Sequence, residues 1–355
     1  MAIKYKWLAE HLREMTISNM KKGIDTLPTE SQLCSRYHVS RQTVRKSLSI
    51  LEQEGLIAKR QGSGSHITGL HKDPSENEIH ILIITDEKYL YPVLLSDIKN
   101  TLLQYGFSCH VHVTDNRTDL ERTILLKLLD KQPRGIIVEG CKSALPNPNL
   151  DLYHKLENNG THILFLHNYY PALSHPLYIK DNNMQGSRLL VKHLYEQGHR
   201  KICGFFIADD LQGPERFQGY IDAMKEFQLP IIDGNIGWFR YGDLQRLEKG
   251  EHTSFIQKMI RDNLNDCTAI LCYNDELAYW TTRELQKMPS IFLDDISVVS
   301  FDNSYLSYTD TMPILSLTHQ KHKMGITAAN MMLDTIKGLP VYSQEIPWMI
   351  YDKNH

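Results

Sequence analysis

Apolar positions change their period twice along the chain. Near the start they recur at helical spacing: Trp7, Leu8, Leu12, Met15 and Ile17 form one stripe. Val44, Leu48 and Leu51 form another, with Arg41, Gln42, Arg45 and Lys46 on the remaining faces. Between the stripes, LPTESQLCSRYHV sets Thr29 ahead of Gln32 and Leu33. That is the pattern of a capping box opening a short helix, which ends near Tyr37 and His38 before Ser40 caps the next one. After Gly55, LIAKRQGSGSHIT reads as two short strands around a tip at Gly62 to Gly64.

Polar and turn-forming residues interrupt both periods over HITGLHKDPSENE, residues 66–78. Beyond them, apolar β-type runs alternate with amphipathic helical ones. IHILIIT, FSCHVHVT, RGIIVEG and HILFLH are separated by helical segments, and the pattern repeats through KICGFFIA, a strand near Ile236 to Phe239, TAILCYN and ISVVSFD. The expectation is an α/β chain with a winged helix-turn-helix at residues 1–68, a linker at 69–78 and a two-lobed doubly wound domain at 79–355. The first lobe is expected over about 79–175 and 307–338, and the second over about 176–306 and 339–355. Two such lobes in series hold a small ligand in the cleft outside the carboxyl ends of their strands.

Composition narrows the class. The 355 residues are 41% hydrophobic and 23% charged, and no run of about eighteen apolar residues occurs. The amphipathic start MAIKYKWLAEHLRE lacks a signal-peptide core, so a cytoplasmic chain with no membrane partner is expected. Cys34, Cys109, Cys141, Cys203, Cys267 and Cys272 sit singly, which predicts reduced core residues and no metal site. Net charge is −3, but residues 1–72 hold twelve Lys and Arg against six Asp and Glu, a +6 head on a −9 body. A polyanion touched only by the head fits that asymmetry, beside the alternative of chance clustering. No Walker loop, HExxH or GxSxG occurs, and the expectation is a binding protein with no catalytic residues and no cofactor rather than an enzyme.

A short helix, a tight turn and a second helix displaying Arg, Gln and Thr is a geometry that delivers side chains to a DNA major groove. Arg reads guanine, Gln reads adenine, and Thr meets a thymine methyl or a phosphate. The run Tyr5 to Thr68, above all LPTESQL, VSRQTVRKSL, EGLI and QGSGS, resembles the DNA-binding domain of GntR-type regulators. The resemblance implies DNA contact by Glu30, by Arg41, Gln42, Thr43 and Arg45 on the recognition helix, and by Gln61, Gly62 and Ser63 in the wing. Ser65 and His66 depart from the usual Thr-Phe after the tip. For Glu30 the alternative is a helix N-terminal charge favoured by the macrodipole.

DNNMQGSRLLVKHLYEQGHRKI, ERFQGY, CYNDELA and ISVVSFDN resemble the ligand-binding domain of LacI/GalR-type regulators over residues 79–352. A GntR-type head on a LacI-type body, with GCKSALPNPNLDLY and ADDLQGPERFQGY, is similar to the arabinose repressors of Gram-positive bacteria. That resemblance implies effector contacts from Arg216, Asn274 and Asp302. A sugar's vicinal hydroxyls suit an arginine fork, a carboxylate and an amide. The alternatives are a surface helix residue, a helix cap and a strand-end turn residue, respectively. The same rim offers Glu139 and Lys142 after RGIIV, His167 and Tyr170 after HILFLH, Tyr89 and Tyr91 after the first strand, and Tyr241 after the strand at Ile236. Paired surface charges, a loop histidine and partly buried rings are the competing explanations. The implied protein is a repressor that binds palindromic or pseudo-palindromic operator DNA as a homodimer and leaves it on binding a sugar, L-arabinose first. A corepressor ligand, another sugar, or a metabolic enzyme with a DNA-binding head are the rival readings.

Overall fold

The computed structural model describes residues 2–21, 24, 26–53, 56–60, 64–67, 77–86, 89–248, 254–288, 296–308 and 313–350. Three helices, α1 (Ala2–Lys21), α2 (Glu30–Tyr37) and α3 (Arg41–Gln53), precede the antiparallel pair β1 (Ile57–Arg60) and β2 (Gly64–Ile67). Thr29 and Gln32 form the expected capping box, and His38 ends α2 in the left-handed conformation. Ser40 accepts from the Thr43 amide at 3.3 Å and so starts α3. Leu8, Leu12, Leu33, Val44, Leu48, Leu51, Ile57 and Ile67 close one core from all five elements. Each such buried side chain contributes about 1.5 to 3 kcal/mol. One member of the expected stripe departs from it. Trp7 is 48% exposed, while Thr16 is buried, its hydroxyl donating to the Leu12 carbonyl at 2.7 Å. The wing-tip residues Gln61, Gly62 and Ser63 and most of the expected linker lie outside the described residues.

The body alternates as its apolar runs predict. The first stretch is β3 (Glu78–Ile83), α4 (Tyr91–Gln104), β4 (Ser108–Val113), α5 (Thr118–Lys131), β5 (Gly135–Val138), α6 (Leu150–Asn158), β6 (His162–Leu166) and β7 (Tyr178–Asp181). Then come α7 (Asn183–Glu196), β8 (Ile202–Ile207), α8 (Gln212–Glu226), β9 (Ile236–Phe239), α9 (Tyr241–Glu248), α10 (Ser254–Asn263), β10 (Ala269–Cys272), α11 (Asp275–Leu285), β11 (Ser297–Phe301) and β12 (Ile314–Thr318). The last elements are α12 (Lys323–Ile336), β13 (Gln344–Ile346) and β14 (Met349–Ile350).

Two sheets result. The first, in order β13-β7-β6-β5-β3-β4, is parallel throughout; the second, β14-β12-β11-β10-β8-β9, is parallel except for β14. Helices α4 and α12 pack on Ile79, Ile81 and Ile83 of the first sheet, and α5 and α6 cover its other face at Leu82, Ile136 and Val138. In the second, α7 and α8 cover Phe206, Leu271 and Val299, while α9, α10 and α11 cover Phe205, Ile270 and Val298. Strands buried on both faces read as continuous apolar runs, which is why these were visible in the sequence.

The lobe limits differ from the expected ones. Strands β7 and β13 pair in the first sheet, although residues 176–181 and 344–346 were expected in the second lobe; β12 pairs in the second, although 307–318 was expected in the first. The chain therefore crosses between lobes after β7, after β12 and after β13. These strands are short and partly polar, and their pairing is decided by partners far along the chain. Gln185 and Trp348, which exchange hydrogen bonds of 3.1 and 3.0 Å across two of the crossings, are 163 residues apart.

Candidate functional site

The exposed face of α3 carries the head's candidate chemistry. Arg41 and Arg45 have side chains 66% and 65% exposed, and Gln42 and Lys46 are also exposed. Glu30, in the first turn of α2, accepts both oxygens' worth of hydrogen bonds from Arg45 Nε at 3.0 and 3.1 Å and stands 3.8 Å from Arg41 Nε. Arg41 also donates to Ser31 Oγ at 3.3 Å. The carboxylate thus aims the two guanidinium groups from the neighbouring helix. Thr43 is half-buried, its hydroxyl 2.9 Å from that of Ser40.

In the body, polar residues gather where strands of both sheets end. From the first sheet come Glu139 after β5, His167 after β6 and Asp181 closing β7; from the second come Asp210 after β8, Tyr273 and Asn274 after β10, Asp302 after β11 and His319 after β12. The two sides touch. Tyr89 donates to Asp302 Oδ2 at 2.7 Å, the Leu211 amide donates to Ser143 Oγ at 2.9 Å, and Asn168 Nδ2 donates to Asp210 Oδ2 at 3.4 Å. The lobes are closed on one another.

Arg216 is 2% exposed on α8. Its helix sits close because Gly213 and Gly219 lack side chains: a Cβ on the first would overlap the Ile207 carbonyl, and one on the second would overlap the backbone of Met184. Nε donates to Asn183 Oδ1 at 2.9 Å, one terminal nitrogen donates to Gln212 Oε1 at 3.1 Å and the other to the Tyr273 carbonyl. The guanidinium lies over the rings of Phe301 and Tyr273, 4.1 and 4.6 Å from their centroids. Asp302 has φ 97°, a left-handed backbone that turns its carboxylate into the cleft. Burial raises its pKa against the pull of Arg216. Burial likewise carries Asp210 up to about 6, and burial with the Asp302 charge carries Asp275 up to about 7. Asn274 caps α11, its side-chain oxygen accepting from the Leu277 amide at 3.0 Å.

A second cluster sits at the crossings. Asp181 Oδ1 lies 2.8 Å from His319 Nε2 in an ion pair off the hydrogen-bond line, and Asp181 Oδ2 lies 3.6 Å from His167 Nδ1. The His319 ring stacks on Trp348 at 3.6 Å. Burial alone would lower His167, but Asp181, Glu139 and Asp302 carry its pKa up to about 9. Asp181 stays low despite burial because both histidines face it. His319, Asp181 and Trp348 had no signal in the sequence, since each belongs to a crossing rather than to a periodic segment.

The structure brings Arg216, Asn274, Asp302, Tyr89, Tyr91, Glu139, His167 and Tyr241 to this rim, Tyr241 through its amide, which donates to Asp209 at 3.0 Å. Two expectations are corrected. Tyr170 is a core ring of the first lobe, packed on Tyr153 and Phe165, its hydroxyl donating to buried Glu121 at 2.5 Å. Satisfying the phenol inside was cheaper than exposing the ring. The Glu139–Lys142 clamp is also absent. Glu139 accepts from Tyr91 at 2.8 Å and from the Ile84 amide at 3.1 Å, while Lys142 turns outward at φ 48° with an exposed side chain. Among the described residues, no group of three or more His, Cys, Asp or Glu is arranged to hold a metal ion, and no helix is long and apolar enough to cross a membrane.

Residues 4–67 match the family of bacterial regulatory proteins of the gntR type, and residues 191–349 match the periplasmic binding protein-like domain. Head and body together define a class: transcription regulators that join a DNA-binding winged helix to a two-lobed sugar-sensing domain. The chain is 30% identical over 338 residues to the arabinose metabolism transcriptional repressor of Geobacillus stearothermophilus, covering 94% of this chain and 91% of that one. It is 29% identical over 343 residues to the protein of the same name from Halalkalibacterium halodurans, covering 95% and 90%. The chain belongs to this family of arabinose metabolism transcriptional repressors. A LacI-type regulator from Alkaliphilus metalliredigens, solved with D-xylulofuranose, shares the fold of the body with a TM-score of 0.61 at 20% identity, over 77% of this chain and 97% of that one.

Proposed function

We propose that this chain represses sugar-utilisation genes as a cytoplasmic homodimer on palindromic operator DNA, and that L-arabinose bound in the cleft releases it. The reading rests on one arrangement above all. A buried arginine fork at Arg216 and a carboxylate at Asp302 lie at the strand ends of the second sheet, and Asp302 meets Tyr89 from across the cleft. Not all of the five donors of a guanidinium are used by Asn183, Gln212 and Tyr273, which leaves some for a sugar hydroxyl. Asp302 and Glu139 supply acceptors, Asn274 supplies an amide, and Tyr91 supplies a ring for the sugar's apolar face. On the head, Arg41, Gln42 and Arg45 reach base edges, Thr43 meets a phosphate or methyl, Glu30 orients the arginines, and Gln61, Gly62 and Ser63 add further DNA contacts. Catalysis is not part of this reading.

Calorimetric titration with a panel of pentoses and hexoses, followed by gel shift of an operator fragment with each sugar, tests it. L-Arabinose should bind and release the operator. Binding by a different sugar reassigns the effector, and tighter operator binding with sugar makes the ligand a corepressor.

A further inference from the structure

Behind Arg216 runs a chain of polar groups, buried at Asn183 and Lys180 and half-buried at Glu215. Asn183, the first residue of α7 after the first crossing, is 1% exposed. Its Oδ1 accepts from Arg216 Nε at 2.9 Å, and its Nδ2 donates to Glu215 Oε2 at 2.8 Å. The other oxygen of Glu215 accepts from Lys180 Nζ at 2.5 Å. Lys180 stands on β7 in the opposite lobe with a side chain 7% exposed, 3.2 Å from Glu345 on β13. Its ammonium also lies 5.8 and 5.7 Å from the rings of Tyr169 and Tyr178, which stack on each other at 4.5 Å.

The chemistry of this chain has a direction. An amide can accept from a guanidinium at one end and donate to a carboxylate at the other, which neither an Asp nor an Ala in place of Asn183 could do. The Glu215 side chain is 17% exposed, and a carboxylate drawn that far from water needs a cation and further hydrogen bonds, which Lys180 and Asn183 provide. Burial works against the Lys180 charge, but the carboxylates of Glu215 and Glu345 outweigh it and raise the pKa. Glu215 and Arg216 are consecutive residues near the start of α8, so anchoring one helps fix the other.

We propose that Lys180, Glu215 and Asn183 are positioning residues that reference the Arg216 guanidinium to the opposite lobe, so that a sugar gripped by Arg216 is coupled to the angle between the lobes. The proposal rests on Arg216 being a sugar contact. Lys180 and Asn183 flank the crossing after β7, and Glu215 meets both, so the ion pair ties the lobes together where the chain itself joins them. The coupling then depends on a rigid path from ion pair to fork.

A mutant cycle on the full-length protein, titrated with L-arabinose by calorimetry and melted in parallel, tests this. Glu215→Gln keeps the size and an oxygen for Asn183 while removing the charge opposite Lys180. It should raise Kd about tenfold in the wild-type background, and less than about twofold when Arg216 is already Lys, because the two act as one unit. Lys180→Arg, which keeps the charge, should stay within about threefold of wild type, whereas Lys180→Met should match Glu215→Gln. Equal losses in both backgrounds would show that Glu215 acts independently of Arg216. A lowered melting temperature with unchanged Kd would show a structural role alone; either result overturns the inference. Arg216→Lys leaving Kd at the wild-type value would instead sink the reading of the sugar site, as would a wild type that binds no sugar of the panel; if another sugar of the panel binds, the same cycle is read with that sugar.

Discussion

The face of α3 and the cleft each present an arginine, and they hold it in opposite ways. Arg45 is 65% exposed and shares one partly exposed carboxylate, whereas Arg216 is 2% exposed and held by three acceptors and two aromatic rings. Water keeps the first charge cheap and mobile, able to trade Glu30 for a phosphate or a base edge, at the cost of screening by salt. The second charge has been desolvated in advance, so its direction is fixed before a ligand arrives. A polyanion can be found by mobile surface charge, but a neutral polyol has to be recognised by geometry.

The strongest way to break this comparison is Arg216→Ala. Losing a buried charge-assisted contact should cost about 2 to 4 kcal/mol of sugar affinity while operator affinity without sugar stays within about twofold. A gel shift at the arabinose concentration that releases the wild type should show the variant still bound. Arg45→Ala is the mirror experiment. It should weaken specific operator binding by about 1 to 3 kcal/mol and leave the sugar isotherm unchanged. Salt sharpens the contrast without mutation. Between about 50 and about 200 mM salt, operator affinity should fall tenfold or more, whereas sugar affinity should move by less than about twofold, measured by fluorescence anisotropy and calorimetry.

The smallest effect is on pH. The His167 pKa is raised to about 9, so its protonated form stabilises the fold fully below the ordinary histidine value of about 6.5, and that stabilisation drains away as pH rises through 9. His319, raised by the same Asp181, adds in the same direction. The wild-type melting temperature should therefore fall between pH 6 and pH 9.5 by a few degrees more than that of His167→Gln, on the order expected for about 1 kcal/mol.

What could be read from the sequence follows the range of the interactions. The capping box at Thr29, the stripe of Val44, Leu48 and Leu51, and the apolar strands of both sheets are local patterns, and they appear where expected. Arg216, Asn274 and Asp302 were found through motifs, and they converge because each follows or faces a strand end. The crossing strands β7, β12, β13 and β14 escaped, because two to five residues without alternation cannot be told from a loop until a distant partner pairs with them. Tyr170 was misjudged for a related reason. Whether a tyrosine faces a cleft or a core depends on a buried acceptor, here Glu121, nearly fifty positions earlier in the chain.

The three crossings also set an order of assembly during synthesis. The core of the head needs nothing beyond Ile67, but each sheet of the body takes one of its strands from the stretch Gln344 to Ile350. At roughly 5 to 20 residues per second, a ribosome exposes a foldable head for roughly 15 to 55 s before either lobe can be completed. A message cut in that window would leave a folded DNA-binding head whose sensor never formed, so whatever DNA it met would be held without any response to a ligand.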